Sequence, residues 1–159
     1  MALIKNLAQV LLGTFLFTAG ASHLGSNRSE FLAQVPTYLP LDAEFVVLAS
    51  GVVEMILGSL LILTVLIFKK YRELIGLITA IFFILIFPGN INQYVNGIDA
   101  FGLDTDQKRL IRLFFQPLLV IWALWASGGV KYLAKLRRKN YASQNFISAI
   151  GSAGTHKPR

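Results

Sequence analysis

The sequence predicts an all-α fold, a polytopic membrane four-helix bundle, and three observations carry that prediction. Of 159 residues, 55% are hydrophobic and only 14% are charged, where an ordinary soluble domain has roughly 25% charged residues. A small soluble fold exposes much of its area, and this composition cannot cover it with polar groups. The apolar residues gather into four long runs, each near the length of about 20 residues that crosses a bilayer core as a helix. The basic residues are distributed unevenly between the connections, as membrane insertion demands.

The first run, Leu7 to about Leu24, follows Lys5 and carries Gly13 and Gly20 on one helical face, a spacing that permits close helix contact. Ala19-Gly20-Ala21 has the small-residue pattern of a signal-peptidase site, but the run is read as a retained span. The second run extends from about Phe45 to Phe68, with Asp42 as its expected N-cap and Lys69-Lys70-Tyr71-Arg72 closing it. The third goes from Leu74 to about Val95. The fourth goes from about Leu110 to Ser127 and stops at Gly128-Gly129, a fitting terminator. Residues 1–129 are thus expected to form the transmembrane domain, and 130–159 a basic cytoplasmic tail, largely mobile because it holds little apolar material. The start of that tail, Lys131 to Lys139, suits contact with anionic lipid headgroups.

With both termini cytoplasmic, the inside set is Lys5, Lys69, Lys70, Arg72, Lys131, Lys135, Arg137, Arg138, Lys139, Lys157 and Arg159, eleven residues against Arg28, Lys108, Arg109 and Arg112 outside. This N-in/C-in arrangement satisfies the positive-inside rule and accounts for the formal charge of +7 without nucleic acid. The first outer connection, Gly25 to Asp42, mixes Phe31, Val35, Tyr38 and Leu39 with Pro36 and Pro40 and is expected to lie on the membrane interface, an interfacial segment linking helices 1 and 2. Asn27 and Glu30 form a capping-box-like start to a short helix there.

The absence of cysteine removes disulfides, thiolate-ligated metals and thiol exchange by this chain itself, so a redox role needs a bound cofactor. No metal site is expected: one intramembrane His and one Glu fall short of three protein ligands. No nucleophile triad, phosphate loop or dinucleotide fingerprint stands in a suitable context.

Polar groups at bilayer depth are costly, so each needs a partner, a cavity or a function. Glu54 lies nine residues after Phe45, about 14 Å into the second helix at 1.5 Å per residue, near the midplane. It shares a face with Gly51 and Gly58. In the third run Pro88-Gly89-Asn90 predicts a kink, with Asn90 and Gln93 supplying amides beyond it. Arg112 and Gln116, four apart, face one direction at the start of the fourth helix, and His23 ends the first. The predicted topology collects His23, Glu54, Asn90, Arg112 and Gln116 in the outer half of the bilayer, around a polar cavity covered by Val35 to Leu41, with Tyr38 as a further contact. The competing reading is architectural. Glu54 and Arg112 then form a buried ion pair that fixes register, Asn90 and Gln116 hydrogen-bond across helices, and Trp122 and Trp125 anchor the interface.

Five ordered blocks add a family resemblance: Gly20-Ala21-Ser22-His23; Val35-Pro36-Thr37-Tyr38-Leu39-Pro40; Ser50-Gly51-Val52-Val53-Glu54 with Gly58; Phe87-Pro88-Gly89-Asn90-Ile91; and Arg112-Leu113-Phe114-Phe115-Gln116-Pro117 through Trp122. Together, over roughly Leu7 to Trp125, they resemble the DoxX-like family of small membrane proteins, which usually has alanine where this chain has Gly89. The resemblance implies a four-helix protein of the bacterial inner (plasma) membrane. It also implies association with quinone-dependent sulfur oxidation or with membrane oxidoreductase complexes, although many members have no assigned activity.

The leading expectation is therefore an accessory subunit of a redox system that holds a quinone-like or other amphiphilic ligand, with an oxidoreductase or other membrane protein as partner and membrane lipids around it. Glu54 and His23 are the proton-relay candidates, and Asn90, Arg112, Gln116, Gln93 and Tyr38 the ligand-binding candidates. Two alternatives stand beside it: a non-catalytic assembly or stability factor that binds a partner protein, and a small-molecule or lipid transporter. No reaction and no oligomeric state is assigned from the sequence.

Overall fold

A computed structural model of the chain describes residues 2–25 and 27–153, and among these the regular structure is entirely helical. Helices α1 (Ala2–His23), α2 (Arg28–Gln34) and α3 (Ala43–Leu66) are followed by a short 3₁₀ turn, Lys69–Tyr71. Then come α4 (Arg72–Leu85), α5 (Phe87–Val95), α6 (Asp106–Ser127) and α7 (Gly129–Ala153). Four stretches are long and apolar enough to cross a membrane: Ala2–His23, Ala43–Leu66, Lys69–Val95 and Asp106–Ser127. Each begins or ends within a few residues of the sequence-predicted run, because long apolar segments give the strongest periodic signal.

Local chemistry sets the helix ends. The Asp42 carboxylate accepts a hydrogen bond from the Phe45 N–H at 2.9 Å, and Thr105 does the same for Lys108, so α3 and α6 begin on capped amides. Gly128 closes α6 with φ +81°, the left-handed conformation a glycine adopts without steric cost. The α4–α5 break falls at Ile86, two residues before Pro88, as expected for a residue without an amide hydrogen.

The capping box expected at α2 is not formed. Asn27 makes no side-chain cap, and Glu30 instead accepts from the backbone N–H of Phe101 at 2.6 Å, tying α2 to the α5–α6 loop. That loop is held by Arg109, which bonds Asp99, Asp106 and the Leu103 carbonyl. Beside it the exposed Lys108 donates to Asp104 and holds that carboxyl below its ordinary range. Of the segment 130–159, predicted as a largely mobile tail, the part up to Ala153 is helical, and 154–159 lie outside the described residues. Its Lys, Leu, Ala and Arg residues are good helix formers without an apolar face, and it packs on α4, where Lys135 pairs with Glu73 at 2.6 Å.

Two antiparallel helix pairs build the bundle, α1 with α3 and α4 with α6. Leu12, Leu16, Leu57, Leu61, Ala80, Phe83 and Ala123 form the buried core between them. Large apolar side chains such as Leu11, Phe15, Ile56, Ile81, Phe114 and Ile121 point outward instead, an arrangement suited to a lipid solvent and unlike that of a soluble protein. Along α1 and α3 the backbones touch. A Cβ added at Gly58 would lie 2.6 Å from the Gly13 carbonyl oxygen, and one at Gly20 would lie 2.5 Å from that of Gly51. Small residues at such contacts let helices approach until dispersion and backbone contacts hold them.

At the end of the bundle holding the α3–α4 turn, a polar brace replaces apolar packing. Gln9, with no exposed surface, donates to the Leu61 carbonyl and to Thr64. Arg72 donates to Gln9 at 2.7 Å, to Asn6 at 2.6 Å and to the Ala126 carbonyl at 2.9 Å. Its guanidinium thus joins α1, α4 and α6, and through Gln9 also α3. Trp122 adds an indole N–H to the Ala8 carbonyl, 3.0 Å away. It is a helix-to-helix tie, while Trp125 remains exposed with Lys5 over its ring.

Candidate functional site

At the opposite end, a cavity of about 290 Å³ opens between α1, α2, α3, α5 and α6. Its floor is polar: His23, Ser50, Glu54, Asn90, Arg112 and Gln116. Its wall is apolar, built by Phe31, Val35, Leu39, Val46, Leu85 and Ile86, and Tyr38 stands largely exposed beside the mouth.

The glycine contact positions the first part of the floor. Gly51 leaves room for the Cβ of His23, which would lie only 2.7 Å from an added methyl. His23 is thereby pressed against α3, where its Nδ1 lies 3.0 Å from the Val47 carbonyl oxygen and 3.2 Å from Ser50 Oγ. Because the Ser50 hydroxyl itself donates to Val47, the carbonyl contact assigns the proton to Nδ1. Nε2 is then turned to Glu54 Oε2, 3.5 Å away, in ion-pair range but beyond a good hydrogen bond. Both side chains are buried.

The ion pair considered between Glu54 and Arg112 is not formed: the Glu54 ion-pair contact among the described residues is His23. The reason is register. Arg112 comes from the far wall, half-buried, with its guanidinium 5.7 Å from the Phe101 ring. It faces the same cavity as Glu54 without closing on it. Of the four buried side-chain atoms without hydrogen-bond partners among the described residues, two, Glu54 Oε2 and Arg112 Nε, belong to residues that line this cavity, and the others are Nε of Arg28 and of Arg109. Such atoms are uncommon in folded interiors, since each costs about 1–3 kcal/mol.

Asn90 and Gln116 line the cavity and also hold each other, Asn90 Nδ2 donating to Gln116 Oε1 at 3.0 Å. Gln116 Nε2 in turn donates to the Phe83 carbonyl, beside the helix break. The same amides therefore brace the kink and face the cavity. Gln93 is the one sequence-predicted ligand residue outside the cavity lining. It is fully buried and accepts from Gln34 at 2.7 Å while donating to the Ile98 and Ala100 carbonyls, which makes it the anchor of the α5–α6 loop.

Four residues escaped sequence reasoning: Phe31, Gln34, Ser50 and Phe101. The Phe31 ring lies 3.5 Å, centroid to centroid, from that of His23 and meets Phe101 edge-on at 4.7 Å. Phe101 has φ +57°, a conformation rare outside glycine, and its N–H is tied to Glu30. A chain of ring contacts thus links His23 to Arg112 through Phe31, which lines the cavity, and Phe101. Paired spacing was the available signal. Gly13 and Gly20 on α1 and Gly51 and Gly58 on α3 are both seven apart, and antiparallel matching of the two pairs continues one turn to set His23 against residues 47–50.

A family model described as "Domain of unknown function (DUF8561)" matches residues 12–127, most of the chain, and the protein belongs to that family. No curated protein and no solved structure matches the chain. The matched region contains the whole cavity floor and ends where α7 begins.

Proposed function

We propose that this DUF8561 member is a membrane accessory subunit of a redox system, and that its cavity holds the head group of a quinone-like or other amphiphilic ligand. The observation that carries the reading is the pair of unpartnered buried polar atoms, Glu54 Oε2 and Arg112 Nε, on one cavity whose wall is apolar. A donor and an acceptor held apart, with an apolar exit between them, suit a ring bearing a hydroxyl or carbonyl oxygen and an acyl or isoprenoid tail. Arg112 donates to a ligand oxygen, Glu54 accepts from a ligand hydroxyl, and His23 Nε2 is the next acceptor along the line. A quinone bound there supplies reversible electron and proton uptake. The residues of the chain position its oxygens, exclude water behind Phe31 and give a proton a place to go.

The resemblance to DoxX-like proteins supports the redox association, and without cysteine that role needs a bound cofactor. The setting proposed is the bacterial inner membrane with both termini cytoplasmic, supported by the eleven-to-four division of basic residues. In that orientation the cavity opens in the outer half. Reporter fusions at Lys70 and after the C-terminus are expected to score cytoplasmic; an external C-terminus overturns the orientation.

The ligand reading is tested on detergent-purified full-length chain. A short-tailed ubiquinone analogue is expected to raise the thermal unfolding midpoint saturably, and organic extraction of protein purified from membranes is expected to yield a prenylated or similarly amphiphilic ring compound at near-stoichiometric amount. The absence of both the shift and the enriched extract overturns the reading and favours the assembly-factor class.

A further inference from the structure

The braced end of the bundle carries a second cavity, about 400 Å³, far from the site described above. Its lining brings together Lys5, Lys69, Lys70, Arg72, Lys131 and Lys135, against the single carboxylate of Glu73. Lys135 is spent on that carboxylate. Arg72 is spent on neutral acceptors only, so its charge is hydrogen-bonded but not compensated. Lys5 and Lys70 lie over the rings of Trp125 and Tyr71, and among the described residues Lys5, Lys69, Lys70 and Lys131 have no carboxylate within ion-pair distance. Four separate parts of the chain converge to make this excess: the start of α1, the α3–α4 turn with the start of α4, the end of α6, and α7. A set of like charges gathered at a concave surface repels itself unless an anion sits among them.

We infer that this cavity is a discrete site for the phosphodiester head of an anionic phospholipid. Phosphate is the chemistry that several lysines around a concavity recognise. A lipid, in preference to free phosphate, is indicated by the surroundings. Leu3, Ile4, Leu66 and Ile67 beside the cavity are exposed, at 55% or more of their surface in each case, and they lie at the ends of two apolar helices. An acyl chain leaving the cavity runs onto that surface. The site differs from diffuse attraction to the basic face of α7, because Arg137 and Arg138 are not part of its lining.

Native mass spectrometry of the full chain in neutral detergent, titrated with dioleoylphosphatidylglycerol or dioleoylphosphatidylcholine, tests the site. The wild type is expected to retain one phosphatidylglycerol in clear preference to phosphatidylcholine, which has the same tails. Lys69→Gln combined with Lys131→Gln is expected to weaken that binding about 30-fold, on the order of fivefold per lysine. Arg137→Gln combined with Arg138→Gln should stay within threefold of wild type, and 10 mM inorganic phosphate should leave the bound lipid in place. Should the double lysine variant fail to fold, the two single variants, each expected to lose about fivefold, carry the test. Equal retention of both lipids, equal loss in the two variant pairs, unchanged binding in the lysine variants, or displacement by inorganic phosphate overturns the proposal.

Discussion

Glu54→Gln is expected to abolish most binding of a quinone analogue, at least tenfold and up to about 100-fold, while leaving the fold within about 1 kcal/mol of wild type. Leaving a buried ligand group without its hydrogen-bond partner costs roughly 1–3 kcal/mol, and the buried Oε2 has no hydrogen-bond partner among the described residues to lose. Glutamine keeps the shape and removes the strong acceptor. Arg112→Gln is expected to cost a comparable factor in binding, because its Nε is the donor on the far side of the same cavity. Stability separates this outcome from the architectural one. If the two groups were an ion pair, each single variant would strand a buried charge at about 3–5 kcal/mol and the double variant would recover. With Glu54 seated against His23 at 3.5 Å, the double variant is expected not to recover the stability of wild type in a thermal double-mutant cycle. Large single losses that the double variant reverses would sink the binding assignment.

The largest loss of stability is expected at Arg72. Arg72→Met removes three hydrogen bonds and leaves the side-chain oxygen of the fully buried Gln9 without its donor, together with Asn6 and the Ala126 carbonyl. Abandoned buried acceptors cost about 1–3 kcal/mol each when water cannot reach them. Since Arg72 itself is only partly buried, solvent recovers some of that, and a net loss of about 3 kcal/mol is expected. Thermal unfolding in detergent measures it, and binding of the quinone analogue to the remaining folded fraction should be unchanged. A variant as stable as wild type would mean that the brace is ornamental to the fold.

The spans were legible because their signal is long and redundant: twenty apolar residues in a row tolerate errors of two or three at either end. Asp42 and Gly128 were legible because caps act locally. Glu54, Asn90, Arg112 and Gln116 stood out because polar groups are conspicuous against apolar runs, and the fold brings all four, with His23, to one cavity. What one sequence does not display is pairing between distant segments. Arg72 reads as a loop cation beside two lysines, yet it reaches three neighbours across the bundle. Gln93 reads like Asn90, three residues away, but on a short helix after a break that offset turns it toward the loop. Ser50 stands beside Gly51 but carries no sign of its contact with His23, and Phe101 has no distinguishing neighbours at all. Glu30, given a local partner by the capping pattern, instead accepts from the amide of Phe101, 71 residues away.

The interruption at Ile86 also bears on how such a protein can change over generations. Between α4 and α5 the third span is split into a segment that shares in the packed core and a nine-residue segment that forms a side of the cavity. Because the hydrogen-bond ladder is already broken there, a substitution at Gly89 alters the shape of the pocket without propagating through a continuous helix into the core around Phe83, whereas Asn90 stays tied to that core through Gln116. The bundle thereby separates heritable variation in what it accommodates from variation in whether it assembles.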